Sequence, residues 1–278
     1  MAQWVVKDKT FVVTGGASGL GAAYAEAFLK EGAKNIAILD VAEKQGTEKA
    51  NNLNQVYGNK VVFIKCDVSK EDEITKAFDA VVAQYKQIDV IINNAGIMVD
   101  APSLWRTACD VNWQGVVSFT LKGVKHMRKD EGGAGGTIIN ISSTAGLCRF
   151  PFLSVYSGSK LAVIHFSQSL SIPPFYEQTG VRVLVMCPGP TDTPLLQGLE
   201  NRAYDLNMGK AFAEMVVNEN VVFQKVESMV TAFLHMFKNG SPGSIWLSTN
   251  NQPVEDITEL VGNSFKALED KVASLEEM

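Results

Sequence analysis

The chain has 278 residues and a formal net charge of −5, and no basic run stands out; that balance argues against a nucleic-acid surface. Hydrophobic residues make up 46% and charged residues 20%, the composition of a globular chain able to bury one large core rather than of a disordered one. No run of about eighteen apolar residues occurs, so no membrane span is expected.

In chain order, apolar and β-branched runs alternate with helical patterns. TFVVTG, NIAILD, KVVFIKCD, IDVIINNAG, GTIINISS, VRVLVMCPG and GSIWLS read as strands. They are short, apolar throughout and end in Gly, Asp, Asn or Ser, as strands buried on both faces do. Lys7 and Lys9 ahead of the first run faintly mimic a secretory signal, but TGGASG breaks the apolar stretch and Glu26 follows. The stretch after TGGASG puts Leu20, Tyr24, Ala27 and Phe28 on one helical stripe and stops at Gly32. SKEDEITKAFDAVVAQY opens with Ser69 and acids in its first turn, an N-terminal helix signal. The alternation predicts one doubly wound (Rossmann) α/β domain over residues 1–255, with a parallel sheet of about seven strands and helices on both faces. Residues 256–278 form a charged helical tail suited to covering a sheet edge or a neighbouring subunit.

TGGASGLG follows the first strand and opens the first helix. A dinucleotide's pyrophosphate must approach backbone N–H groups at a helix N-terminus, and side chains would block it. Gly15, Gly19 and Gly21 leave that space, at GxxxGxG spacing. Asp40 ends the second strand, 19 residues past Gly21, where an acid can accept hydrogen bonds from a ribose 2′-OH and repel a 2′-phosphate. Such a glycine turn also serves tight packing, and such an acid is also an ordinary solvated strand end. NNAG, from Asn93 to Gly96, ends the fourth strand, at the carboxyl edge where open α/β sheets bind ligands. NISSTAG ends the fifth. Ser143 stands thirteen residues before Tyr156, and Tyr156 and Lys160 share a helix face at i and i+4. The four cysteines, Cys66, Cys109, Cys148 and Cys187, form no CxxC pair, and His126, His165 and His235 are scattered. They read as reduced thiols in a cytoplasmic protein with no metal site.

The ordered set TGGASGLG, Asp40, NNAG, Asn112, Ser143, Tyr156-x-x-x-Lys160 and the CPG turn at Cys187 to Gly189 resembles the short-chain dehydrogenase/reductase family over nearly the whole chain. EGGAGGTIINISSTAG and GVRVLVMCPG are similar to its branch of NAD-linked hydroxyprostaglandin dehydrogenases and insect alcohol dehydrogenase-like proteins. The resemblance implies Tyr156 as the proton acceptor of an alcohol oxidation, its phenol, of ordinary pKa about 10, favoured as phenolate by the Lys160 ammonium. It implies Ser143 as a hydrogen-bond partner of the substrate oxygen, Lys160 also on the nicotinamide ribose, and Asn112 as a water-mediated link from Lys160 to solvent. It places NAD against Gly15, Ser18, Gly19, Leu20 and Gly21, with Asp40 on the adenosine ribose and Asp67 and Val68 beside the adenine. Asn94, Ala95 and Gly96 line the ribose side, and Pro188, Gly189, Thr191 and Thr193 the carboxamide end. Thr191 stands where many relatives carry Ile or Val.

The resemblance also places a subunit contact, in a homodimer or homotetramer, on helices at about 104–129 and 155–171. Val116, Val117, Phe119, Thr120 and Val124 read as more apolar surface than one sheet face buries. Pro173 and Pro174 depart from the family pattern and should end or kink the helix of Tyr156 near Ile172. By the same resemblance the substrate pocket falls on Cys148, Phe150, Phe152, Leu195, Leu196 and Leu199, with Met208, Phe212 and Met215 farther on and Arg149 turned to solvent. That lining suits a largely apolar alcohol, or the matching ketone or aldehyde, of isoprenoid, steroid or lipid-derived type. Two other readings stand beside the NAD-dependent dehydrogenase. One is a binding or storage protein on the same fold, which the intact Asn112, Ser143, Tyr156 and Lys160 disfavour. The other is a sugar-nucleotide epimerase or dehydratase, for which the chain is short.

Overall fold

The computed structural model describes residues 4–218 and 222–276. Among them, eight strands form one sheet: β1 (Thr10–Thr14), β2 (Asn35–Asp40), β3 (Val61–Lys65), β4 (Val90–Asn93), β5 (Gly136–Ile141), β6 (Val181–Pro188), β7 (Ile245–Ser248) and β8 (Glu255–Asp256). Their order is β3-β2-β1-β4-β5-β6-β7-β8, parallel except for the β7–β8 pair. The expected seven are all present. The eighth is a two-residue, exposed acidic edge strand, with none of the apolar pattern that marks the others. The chain reverses direction across the sheet between β1 and β4, the switch point beside which such sheets open a ligand crevice.

Helices α1 (Gly19–Lys30), α2 (Glu43–Tyr57) and α3 (Glu71–Tyr85) precede β4. Then come α4 (Trp105–Cys109), a π-helical turn (Asp110–Gln114), α5 (Gly115–Met127), α6 (Ser154–Ser169) and α7 (Phe175–Thr179). After β6 follow α8 (Leu206–Asn218), α9 (Val226–Asn239) and, behind β8, α10 (Thr258–Glu276). No helix among the described residues is long and apolar enough to cross a membrane. Every residue of β1 and β6 is buried, because apolar layers cover both faces. On one, Phe11, Phe28, Tyr24, Phe233 and Phe237 stack between β1, α1 and α9. On the other, Phe78, Ile91, Phe119, Val124 and Ile138 pack α3 and α5 onto the sheet.

This second layer corrects one expectation. Val116, Phe119, Thr120 and Val124 are buried within the protomer itself. At positions i, i+3, i+4 and i+8 they share one stripe of α5, and Gly123 beside them lets that helix press onto Ile91 and Ile138. The apolar side chains left facing outward there are Leu121, half exposed, with the partly exposed Trp113 and Val117, and Leu161 on α6. The Tyr156 helix ends at Ser169, three residues short of the expected stop at Ile172, and α7 begins directly after Pro174. Proline disfavours helical backbone in the residue before it, which keeps Ile172 out of the helix. The first turns of α10 cover the β7 side, with Val261 and Phe265 against Ile164, Val185 and Ile245. Leu268, Val272 and Leu275 farther along are exposed.

Arg182 on β6 has no exposed surface. Its guanidinium donates to the Gly240 carbonyl at 2.7 Å, the Phe237 carbonyl at 3.0 Å and Thr137 Oγ1 at 3.2 Å, and lies 3.9 Å from the Trp4 ring centre. The end of α9 thus supplies the negative dipole end and the free carbonyls that a buried cation requires. Burial still lowers its pKa to about 9. Arg182→Met would strand those carbonyls, each a buried acceptor worth roughly 1–3 kcal/mol when left without a partner. Urea denaturation should show stability falling by about 2–4 kcal/mol. An unchanged midpoint would contradict the assignment of Arg182 as the cap of α9.

Candidate active site

The carboxyl ends of β1, β2, β4, β5 and β6 open into one cavity of about 660 Å³. Its floor at one end is the glycine loop. Gly15 has φ +63°, in the left-handed region, and a Cβ there would come 2.8 Å from the Ala95 Cα. A Cβ at Gly21 would meet the Gly15 carbonyl oxygen at 2.2 Å. Gly21 therefore permits α1 to pack under the loop and does not itself line the cavity, while Gly15, Ser18, Gly19 and Leu20 do. The loop is held from β4: Asn94 Nδ2 donates to the Thr14 and Gly15 carbonyls, and Thr14 Oγ1 accepts the N–H groups of Asn94 and Ala95. The Asn94 side chain is thus a brace of the loop, a role its place in NNAG does not announce.

Asp40 caps the other wall. One carboxylate oxygen accepts Ala17 N–H from the glycine loop and the other Ala42 N–H, each at 3.0 Å. Asp67 and Val68 lie next to it on the cavity wall. Burial would raise the Asp67 pKa, but hydrogen bonds from Ser69 and the Lys70 ammonium outweigh it and hold it below the ordinary carboxylate value. Asn112 is fully buried and lies behind the wall. It brackets the Ile97 peptide, its Oδ1 accepting Ile97 N–H at 2.9 Å and its Nδ2 donating to Ile97 O at 2.8 Å. It sits in the π turn, an insertion that re-aims a helix and is frequent at functional sites.

Ser143, Tyr156 and Lys160 come together on the cavity wall. The Ser143 hydroxyl donates to Pro188 O at 3.4 Å, and its nearness to the Tyr156 phenol favours the ionised form. Burial works the other way and pushes the phenol pKa above its ordinary value. Lys160 Nζ donates to Ile141 O at 3.0 Å and lies 5.7 Å from the Tyr156 ring centre. Burial lowers the lysine pKa to about 8. Burial pushes the neighbouring Cys187 thiol up to about 12, so it stands beside Lys160 as a neutral group. Among the described residues no group of three or more His, Cys, Asp or Glu side chains is placed to hold a metal ion.

Beyond β6, Pro188, Gly189, Thr191 and Thr193 continue the wall. Gln224, fully buried, fixes this turn: Nε2 donates to Thr191 Oγ1 and Ser248 O, and its backbone pairs with Pro190 and Asp192. No local pattern marks Gln224 in advance. The far end of the cavity is apolar, lined by Cys148, Phe150, Leu195, Leu196, Leu199, Phe212 and Met215. Phe152 stands one layer back, stacked on Phe212 at 5.2 Å, and Met208 turns outward. Arg149 is exposed. Ile97, Met98, Arg202 and Phe223 are wall residues that the motifs did not indicate; the first two follow NNAG directly.

A family model described as short chain dehydrogenase matches residues 9–203. The 15-hydroxyprostaglandin dehydrogenase (NAD(+)) of Mus musculus is 38% identical over 206 residues, 74% of this chain and 74% of that protein. Alcohol dehydrogenase 1 of Ceratitis cosyra is 31% identical over 244 residues, 87% of this chain and 92% of that protein. Among solved structures, an NADPH-dependent 3-quinuclidinone reductase from Rhodotorula rubra superposes with a TM-score of 0.72 at 25% identity, covering 88% of this chain and 91% of that one.

The Lys160 shift has a stability consequence. A lysine whose folded pKa falls from 10.5 to about 8 binds fewer protons folded than unfolded between those values, so its penalty is full below pH 8 and fades as pH rises to 10.5. Lys160→Met keeps the stem, removes the charge and gives up one bond to Ile141 O. Against urea at pH 7 it should be more stable than the parent by about 1–3 kcal/mol, and the gap should close toward pH 10. A gap independent of pH would show that the ammonium carries no such penalty.

Proposed function

The chain belongs to the short-chain dehydrogenase family, and from that premise we propose that it is an NAD-dependent oxidoreductase acting on an apolar alcohol or the matching carbonyl compound, of isoprenoid, steroid or lipid-derived type. The observation that carries the reading is the meeting of Ser143, Tyr156 and Lys160 on the wall of the same cavity that holds the glycine loop and Asp40. The residues fit a dinucleotide: Gly15, Gly19 and Gly96 line the cavity without side chains, beside the N-terminus of α1. The Asp40 carboxylate can accept further hydrogen bonds from ribose hydroxyls and would repel a phosphate there.

When bound, the oxidised nicotinamide supplies the acceptor for the hydride lost from the carbinol carbon. Ser143 holds the substrate oxygen. Tyr156 takes the hydroxyl proton as phenolate. Burial alone keeps the phenol protonated, so the nearby Lys160 ammonium is needed to favour phenolate formation. Asn112 keeps the Ile97 peptide in place at the edge of the site. The apolar end of the cavity receives the body of the alcohol. A sugar would leave its hydroxyls without partners there, which costs free energy on burial.

Tyr156→Phe should lower turnover by roughly 10²–10⁴-fold while NADH still binds, as fluorescence titration would show. Near-parental turnover by that variant removes Tyr156 from the chemistry.

Steady-state rates with each cofactor should favour NAD(H) over NADP(H). Across an alcohol series kcat/KM should rise with apolar size and exceed that for small diols and sugars. Equal use of NADP(H), or a sugar as the best substrate, contradicts the reading of Asp40 or of the pocket respectively.

A further inference from the structure

Asp100 follows the end of β4 and has no exposed surface. Among the described residues no lysine, arginine or histidine pairs with its carboxylate. Instead Oδ2 accepts the Val155 N–H at 2.6 Å and Oδ1 the Tyr156 N–H at 2.9 Å, beside the Ser154 hydroxyl. These groups belong to the first turn of α6, where backbone N–H groups lack partners inside the helix and the dipole favours an anion. The residue at the helix's own capping position, Leu153, makes no side-chain cap. The cap is therefore delivered from another element, and it bonds the backbone of Tyr156 itself.

The other side of this segment is fixed as well. Asp100 N–H donates to Arg202 O at 2.6 Å, and Arg202 Nη1 donates to Met98 O at 3.1 Å. Met98 packs with Tyr156, Leu199 and Phe212 in the apolar end of the pocket. Residues 98–100 are thus clasped between the turn that carries Arg202 and the start of α6. The Tyr156 ring packs with Met98 and Phe212 on the wall that also carries Ser143, and its backbone is held by Asp100.

We infer that Asp100 is a positioning residue for Tyr156: by binding the first turn of α6 it sets the height and rotation at which the phenol meets Ser143. This rests on the reading of Tyr156 as the proton acceptor. A displacement of the order of 1 Å is enough to cost up to about 10²-fold in rate, so loss of the carboxylate should be read in turnover rather than in binding.

The test compares Asp100→Ala, Asp100→Asn and Tyr156→Phe in the full chain, with rates expressed per NADH-binding site so that misfolded protein does not count. Asp100→Ala should lose roughly tenfold or more in kcat, with KM for the alcohol and Kd for NADH within about twofold of the parent. Asp100→Asn keeps an acceptor oxygen and should recover part of the loss. Tyr156→Phe should be nearly inactive. If Asp100→Ala keeps its kcat per site while its Tm falls, or if it loses NADH binding along with turnover, the residue serves the fold and the inference fails, with the reading of Tyr156 intact. If Tyr156→Phe turns over normally, that reading fails and takes the inference with it.

Discussion

A fully buried ammonium constrains the rest of this site. Lys160 is 3% exposed and has one carbonyl, Ile141 O, within hydrogen-bonding distance. Taking a lysine out of water disfavours its charge, and its pKa accordingly falls to about 8. The same burial raises the pKa of Tyr156. Each group alone resists ionisation, yet each ionises into a charge of the sign that the other needs. In a medium of low effective dielectric that complement is worth far more than at the surface. On the proposed reading, the protein holds one charge in an unfavourable place so that the second forms beside it during the reaction.

Such an arrangement requires walls that do not move, and the carboxyl edge of the sheet provides them through paired polar side chains. Asn93 on β4 donates to Asn140 on β5 and to Thr120 on α5, and Asn140 donates to Ser167 on α6. This buried chain ties the two central strands to the helix that carries Tyr156 and Lys160. Thr14 and Asn94 tie the glycine loop to β4, Asn112 fixes the peptide that follows, and Gln224 locks the turn after β6 to β7. Buried networks of this kind favour one arrangement over its neighbours, because a slip costs hydrogen bonds that the interior cannot replace, although the Oδ1 of Asn93 itself has no hydrogen-bond partner.

The legible parts of the molecule were those written in local pattern. Seven strands announced themselves because burial on both faces demands unbroken apolar runs with polar ends. The glycine loop, Asp40 and the Ser143–Tyr156–Lys160 set lay in short motifs whose spacing has a physical reason. What escaped was long-range and carried by single side chains: Asp100 capping the first turn of α6 from the segment after β4, Gln224 holding the turn after β6, and Arg182 capping the end of α9 from β6. A lone Asp, Gln or Arg has no periodicity to betray it. The two-residue β8 escaped because it is exposed and acidic, with no apolar pattern to mark it. The apolar stripe of α5 was visible, but not the depth to which Gly123 lets it sink against Ile91 and Ile138. Counting apolar residues therefore overstated what remains for a subunit contact.

The cavity divides into two kinds of wall, and the division has a functional logic. The half beside the glycine loop is framed largely by backbone and by polar groups already engaged with one another. It presents a fixed surface whose chemistry depends little on individual side-chain volumes. The other half is made by side chains from the segment after β6 and from α8, with Phe150, Phe152 and Phe212 packed ring to ring beside Tyr156 in one apolar cluster. Apolar contacts are non-directional, so on the proposed reading a change of volume there would alter which alcohol fits without touching a hydrogen bond of Ser143, Tyr156 or Lys160. Met98 and Asp100 are where the halves meet: one lines the pocket, the other grips the backbone of Tyr156, and two peptide bonds join them. If the proposed reading holds, specificity and chemistry rest on separate elements that share this one point of contact, and a substitution that reshapes the pocket through Met98 or Arg202 would be felt at the tyrosine as well.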